Sequence, residues 1–204
     1  MQVQKFSLIL FMFTFMPCMA QDYVNSPIEE GLKPYMEKRH QISLKGTHAL
    51  MAWSCASLAT GVIGSASQDG SQLYFHQMNA FWGGVDLIVA TASYATLRRD
   101  DNQPAVLPMA RMDQIRTERI FLINAGLDAL FVGGGIWLLN ESYGQQSNSD
   151  RLRGYGSSII LQGSFLLVFD GLMFSLHRRN GKKRLKPFLE NLSFNGSSIR
   201  FSLP

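Results

Sequence analysis

Residues 120–139 read IFLINAGLDALFVGGGIWLL, an apolar run in which Asp128 is the single charged side chain. A helix rises about 1.5 Å per residue, so a run of this length covers the ~30 Å hydrocarbon layer of a membrane. Three further stretches have the same character, residues 46–66, 73–97 and 155–176. Polar segments separate all four. The pattern predicts four transmembrane helices.

The composition favours the same all-α fold class. Charged residues make up 17% of the chain, below the roughly 25% of soluble domains. They gather in residues 29–45, 98–119, 150–153 and 177–190. The net charge of +4 comes largely from the segment after His177, and no basic face with interleaved aromatic residues accompanies it. Nucleic acid is therefore not an expected partner.

The N-terminus has the parts of an export signal. Lys5 precedes an apolar segment, residues 6–16, that is too short to span a membrane. Small residues then precede a cleavage point after Ala20. Cys18 could belong to a lipoprotein signal, but residues 15–17 lack the small side chains that such a signal needs. Loss of residues 1–20 would leave Cys55 as the single cysteine, so no intrachain disulfide is expected.

The rest of the chain divides into three segments. Residues 21–44 form a polar lead-in, irregular as far as Pro34 and helical from Tyr35. Residues 45–178 form the membrane bundle, and residues 179–204 form a short, basic and β-prone C-terminal tail. In that tail, Asn195 and Gly196 are typical of a hairpin turn.

Two rules on membrane orientation disagree for this chain. Lys and Arg flank the start of the first span, the loop between the second and third spans, and the C-terminus. This distribution places both ends of the bundle in the cytoplasm. A cleaved signal instead delivers the mature N-terminus to the outside, and the complete signal pattern favours that orientation.

Polar residues inside the apolar stretches are the candidate functional site. A carboxylate in hydrocarbon is costly, so it faces the bundle interior and often marks function. Each aspartate shares a predicted helix face with an amide residue, seven, four or eight positions away. The predicted polar seam consists of Asp86, Asp128, Asp170, Asn79, Asn124, Gln162 and His76. Depth along the helices places Asp86 and Asp128 near mid-membrane and Asp170 nearer the basic side.

The seam admits two interpretations. In the first, which we favour, hydrogen bonds between these side chains hold neighbouring helices together. In the second, the carboxylates relay protons or coordinate a cation. The glycines inside the apolar stretches are expected to be packing surfaces, because small residues let helices in lipid approach closely. They are Gly61, Gly64, Gly83, Gly84, Gly126, Gly133, Gly134, Gly135, Gly156, Gly163 and Gly171.

The sequence predicts no catalytic residue, no metal site and no cofactor. It contains no Ser-His-Asp spacing, nucleophile elbow or HExxH motif. Haem would need two histidines at one depth on facing helices. Only His48 and His177 approach that condition, so this alternative is the weakest.

Residues 74–87, YFHQMNAFWGGVDL, carry a resemblance to a known family. The chain resembles an uncharacterised family of small membrane proteins of Bacteroidota-type bacteria, with a signal-like N-terminus and four apolar helices. The resemblance covers residues 35–180. In that family, asparagine tends to stand where this chain has Gly83 and Asp86. The resemblance implies the architecture and the compartment, and it supplies no catalytic residue.

The sequence therefore predicts a non-enzymatic, multi-pass protein of the bacterial inner membrane. Its expected role is that of a structural or accessory module of the cell envelope, and the alternative is a small proton- or ion-coupled carrier. The expected partners are the lipid bilayer and either further copies of the chain or another envelope protein.

Overall fold

The structure is a computed structural model that describes residues 27–100, 107–144, 147–195 and 198–201. These residues form four long helices: α1 (Pro27–Ser67), α2 (Gly70–Asp100), α3 (Leu107–Ser142) and α4 (Ser149–Asn180). A π-helical segment (Gly181–Leu185) continues α4 into a short helix, α5 (Lys186–Glu190). The predicted signal peptide, residues 1–20, lies outside the described residues.

All four long helices are long and apolar enough to cross a membrane. Their outward faces carry large apolar side chains, of which Ile88 and Leu130 are each 72% exposed. Water would strongly disfavour so much contiguous apolar surface. The chain therefore has the features of a multi-pass membrane protein.

The helices form two antiparallel hairpins, α1 with α2 and α3 with α4, which join mainly through α2 and α4. Glycines allow the closest approaches. Gly83 lies against the backbone of α1, Gly135 and Gly156 lie at the α3–α4 contact, and Gly154 lies against the backbone of α2. At Gly83, Gly135 and Gly156 the predicted packing role is visible in the structure, and Gly154, for which no role was predicted, makes a further close contact.

Other glycines face open space. A Cβ would meet no described atom outside its own helix within 4 Å at Gly84, Gly126, Gly133, Gly134 and Gly171. The sequence-based expectation that glycines line helix contacts is therefore too broad. It fails at these positions because composition does not reveal which side of a helix faces a neighbour.

The helix α1 begins at Pro27, so the expected irregular structure up to Pro34 is wrong for residues 27–34. Pro34 lies inside the helix, where proline removes a backbone hydrogen bond and costs about 3 kcal/mol. Tertiary packing offsets this cost. Leu32 and Tyr35 are almost completely buried in an apolar cluster with Ala110 and Leu185.

Phe188 from α5 completes this cluster, which we call the base. The base joins the first turns of α1, the start of α3 and the end of the α4 extension. It lies beyond the predicted apolar stretches, on the side where the basic residues concentrate. The expected boundaries at residues 44–45 and 178–179 fall inside continuous helices.

After α5, residues Leu192–Asn195 and Ser198–Phe201 pair as antiparallel strands, β1 and β2. Leu192 is paired with Phe201 and also packs against the base. Of the predicted turn, Asn195 ends β1 and Gly196 lies outside the described residues.

Candidate functional site

Three carboxyl groups from three helices meet inside the bundle. Asp86 on α2, Asp128 on α3 and Asp170 on α4 are each at least nine-tenths buried, with exposures of 7%, 5% and 6%. The carboxyl groups of Asp128 and Asp170 are close enough to interact directly, and Asn124 lies beside Asp170. Asp86 is close enough to interact electrostatically with both other aspartates. We call these four residues the carboxyl cluster.

The position of Asp170 differs from the one expected from its depth along α4. Side chains on a helix lean toward its N-terminus. Because α3 and α4 are antiparallel, Asp128 leans toward the basic side while Asp170 leans away from it. The two side chains therefore converge although their backbone positions are offset, and Asp170 joins the other two carboxyl groups.

The hydrogen bonding of the carboxyl cluster is incomplete. Among the described residues, one buried oxygen each of Asp86 and Asp128 has no hydrogen-bond partner. Such buried polar atoms are rare and call for an explanation.

A second group of polar side chains lies about two helical turns away, toward the α1–α2 turn, and its hydrogen bonds are satisfied. Gln162 on α4 donates to Asn79 Oδ1 on α2 at 2.7 Å and to Ser57 Oγ on α1 at 3.2 Å. Its own carbonyl oxygen accepts from Trp53 Nε1 on α1 at 2.7 Å. Ser158 adds a bond to Asn79 at 3.1 Å. We call these five residues the amide cluster, and it ties three helices together.

The predicted seam is therefore two clusters rather than one line. Asn79 and Gln162 belong to the amide cluster, and Asn124 belongs with the aspartates. His76 stands apart from both: its ring packs against Gly64 at the α1–α2 contact, and its Nδ1 has no hydrogen-bond partner among the described residues.

Sequence reasoning missed three members of the amide cluster, Trp53, Ser57 and Ser158. Serine is frequent in apolar helices and often bonds only to its own backbone, as Ser65 does to Gly61. It therefore gives no signal of an interhelical bond. Trp53 also packs between helices, since its ring stacks on that of Phe165 with the centroids 3.9 Å apart.

Sequence reasoning also missed a polar network at the base. Tyr35 donates to Gln114 Oε1 at 2.7 Å, and Gln114 donates to the backbone oxygen of His177 at 2.9 Å. Asn180 donates to the backbone oxygen of Tyr35 at 3.1 Å. This network links α1, α3 and α4. Its residues lie at or beyond the ends of the apolar stretches, where polar side chains are too common to stand out.

The two histidines of the haem alternative lie in different surroundings. His48 is exposed on α1 and lies beside Tyr94, with the ring centroids 5.8 Å apart. His177 is completely buried and stacks on Phe121 of α3. The pair therefore does not form facing axial ligands. In the part of the chain that the structure describes, no three His, Cys, Asp or Glu side chains are grouped so that they could hold a metal ion.

Replacing Gln162 by leucine is expected to lower the thermal stability of the detergent-solubilised protein. The change removes three interhelical hydrogen bonds and leaves Ser57 Oγ and Trp53 Nε1 without these partners, while Asn79 Oδ1 keeps only its bond from Ser158. At roughly 0.6 kcal/mol for each bond in a membrane protein, the loss amounts to about 2 kcal/mol.

The matched control is Ser158→Ala, which removes a single bond of the same cluster. We expect about a third of the Gln162→Leu effect, measured as the shift in unfolding midpoint. Equal effects of the two variants, or no effect of Gln162→Leu, would contradict a role for the amide cluster in holding the helices together.

Comparison with known proteins identifies the family but gives no activity. No curated protein and no solved structure matches the chain. A family model, described as a family of unknown function, DUF6992, matches residues 49–171. The matched region is more than half of the chain and includes all three aspartates of the carboxyl cluster. The chain therefore belongs to the DUF6992 family.

Proposed function

We propose that this chain is a multi-pass protein of the bacterial inner membrane that acts without catalysis, as a structural or accessory module of the cell envelope. The observation that carries the proposal is the amide cluster, in which Gln162 bonds to two other helices. Together with the glycine contacts, it fixes the relative positions of α1, α2 and α4. Such a bundle presents a defined outer surface to lipid and to a protein partner, either a second copy or another envelope protein.

The proposed route to the membrane uses the signal peptide, residues 1–20, with cleavage after Ala20. Cell fractionation of the tagged protein tests both parts. We expect it in the inner-membrane fraction, resistant to carbonate extraction, with a mature N-terminus at Gln21. Release by carbonate would overturn the membrane assignment, and an intact N-terminus would overturn cleavage.

The accessory role is tested by mild solubilisation of the native membrane followed by cross-linking. We expect one cross-linked species of higher mass, either a homo-oligomer or a complex with one envelope protein. A chain that stays monomeric under cross-linking in its native membrane would contradict the proposed role.

A specific observation favours the proton-coupled form of a second candidate function, a small proton- or ion-coupled carrier. The carboxyl cluster brings together three buried acidic groups, and oxygens of Asp86 and Asp128 lack partners among the described residues. A cluster that served only to hold helices would be expected to satisfy its polar atoms, as the amide cluster does. Closely spaced carboxyl groups share protons and titrate as a unit, which is the behaviour that a proton relay needs.

The carrier hypothesis predicts that Asp128→Asn abolishes proton flux and leaves the protein folded. The purified chain is placed in vesicles with a pH-sensitive dye inside, and a pH gradient is imposed. We expect flux in the unmodified protein and about a tenfold or greater loss in Asp128→Asn, because an amide cannot release a proton at this site.

Asp69→Asn is the matched control, since Asp69 is exposed between α1 and α2. Its flux should equal that of the unmodified chain. If instead the unmodified chain shows no flux, and Asp86→Asn and Asp128→Asn lose membrane abundance, the aspartates hold the helices together and the carrier hypothesis is wrong.

A further inference from the structure

A groove on the outer face of α3 combines two arginines with aliphatic side chains. It has a volume of about 330 Å³ and is lined by Met112, Ile115, Arg116, Arg119, Ile120 and Ile123. The spacing of Met112, Arg116, Arg119 and Ile123 places them on one face of the helix. We call this surface the α3 groove.

The α3 groove is not part of the helix packing. Met112, Ile115 and Ile123 are half-exposed or more. The buried face of this part of α3 carries Ala110 and Gln114, which contact the base and its polar network. Something outside the described residues is therefore needed to cover the aliphatic side chains.

The groove lies where α3 changes from charged to apolar. Residues 107–119 carry the charges, and residues 120–139 are the apolar stretch. The guanidinium groups thus lie at the headgroup level of a membrane that the bundle spans, and the aliphatic side chains continue into its hydrocarbon layer.

We propose that the α3 groove binds an anionic phospholipid, with the phosphate on Arg116 and Arg119 and an acyl chain along Ile120 and Ile123. Arginine matches phosphate geometry through paired N–H donors. Basic pockets at the ends of transmembrane helices are typical sites for anionic headgroups. A free phosphate ion would leave the aliphatic part of the groove uncovered. A phospholipid would contact both the two arginines, through its phosphate, and the aliphatic side chains, through its acyl chain.

The test titrates the detergent-solubilised full chain with phosphatidylglycerol and with phosphatidylcholine, and counts bound lipid by native mass spectrometry. We expect selective retention of phosphatidylglycerol. The double variant Arg116→Gln/Arg119→Gln should bind it roughly 25-fold more weakly, at about fivefold for each arginine near a membrane surface.

The matched control is Arg98→Gln/Arg99→Gln, which removes the same charge from exposed residues in the last turn of α2, on the same side of the bundle. It should bind phosphatidylglycerol normally. Equal weakening by both pairs would show general charge attraction and overturn the site. No weakening by the groove pair would overturn it as well.

Two further measurements separate the remaining explanations. Ile123→Asn keeps every charge and should still weaken phosphatidylglycerol binding; unchanged binding of this variant would overturn the acyl-chain contact. It also serves as the decisive variant if the double arginine variant unfolds. Inorganic phosphate should not displace the lipid, and displacement would show an anion site instead.

The inference rests on the proposed membrane location. Carbonate extraction distinguishes the two failures. A carbonate-resistant chain without lipid selectivity loses only the groove site, whereas a chain released by carbonate loses the membrane location and the lipid site together.

Discussion

Replacing Gly154 by alanine is expected to separate α2 from α4 and to destabilise the bundle. A Cβ at this position would lie 2.7 Å from the backbone nitrogen of Phe75, and it would also collide with the backbone oxygen of Ser71. Backbone atoms cannot move aside as a flexible side chain can, so one helix must shift. Overpacking of this kind typically costs 1–3 kcal/mol, and we expect about 3 kcal/mol because the obstacles are main-chain atoms.

The matched control is Gly133→Ala, the same change at a position where a Cβ would meet no described atom outside α3 within 4 Å. Alanine favours a helix over glycine by about 0.5–1 kcal/mol, so this variant should be neutral or slightly more stable. Thermal unfolding in detergent, followed by circular dichroism, measures both. Similar midpoints for the two variants would contradict the close contact of α2 and α4.

Replacing Leu32 by alanine is expected to cost 2–5 kcal/mol, the usual loss for a fully buried leucine. Leu32 has no exposed surface and packs in the base with Tyr35 and Phe188. The base lies outside the apolar stretches, so this loss follows from burial against water rather than against lipid. Truncation of the Leu32 side chain should release the first turns of α1 from α3 and α5.

Hydrogen exchange of the solubilised protein measures this release segment by segment. We expect faster exchange in residues 28–36 and 185–190, with the apolar stretches little changed. Lys33→Ala, at an exposed neighbouring position, is the control and should leave exchange unaltered. Uniform acceleration across the whole bundle, or none at the base, would contradict a locally packed base.

The membrane-length helices could be predicted because apolar length is a local property. A run such as residues 120–139 can be recognised as a membrane-spanning helix without knowing which helices pack against it, since one helix satisfies all its own backbone hydrogen bonds. The aspartates could be identified for the same reason, because a charged residue inside an apolar run is evident from the local sequence alone. Their burial also followed, because hydrocarbon disfavours a carboxylate on any outward face.

The start of α1 could not be predicted in this way. Residues 27–34 contain two prolines and mixed polarity, which locally favour irregular structure. They are helical because Leu32 finds partners in α3 and in the extension of α4, which are distant in sequence. The helical conformation at Pro34 could not be predicted either. The free-energy cost of a proline inside the helix is offset by tertiary contacts that the local sequence does not show.

The grouping of the polar side chains also depended on the tertiary arrangement. Which residues meet depends on the rotation and offset of each helix about its neighbours, and these follow from backbone contacts at glycines such as Gly154 and Gly163. Asp170 reaches Asp128 because the side chains of these two antiparallel helices lean in opposite directions along the bundle axis and converge. Gln162 reaches Trp53 because the packing of α4 against α1 places the two side chains at the same depth.

The sequence of a single segment is enough to predict the apolar helix length and the burial of the aspartates, since each helix meets its own backbone bonding and solvation requirements. The division into a bonded amide cluster and an incompletely bonded carboxyl cluster arises only when the four helices pack, because interhelical distances are properties of pairs of segments.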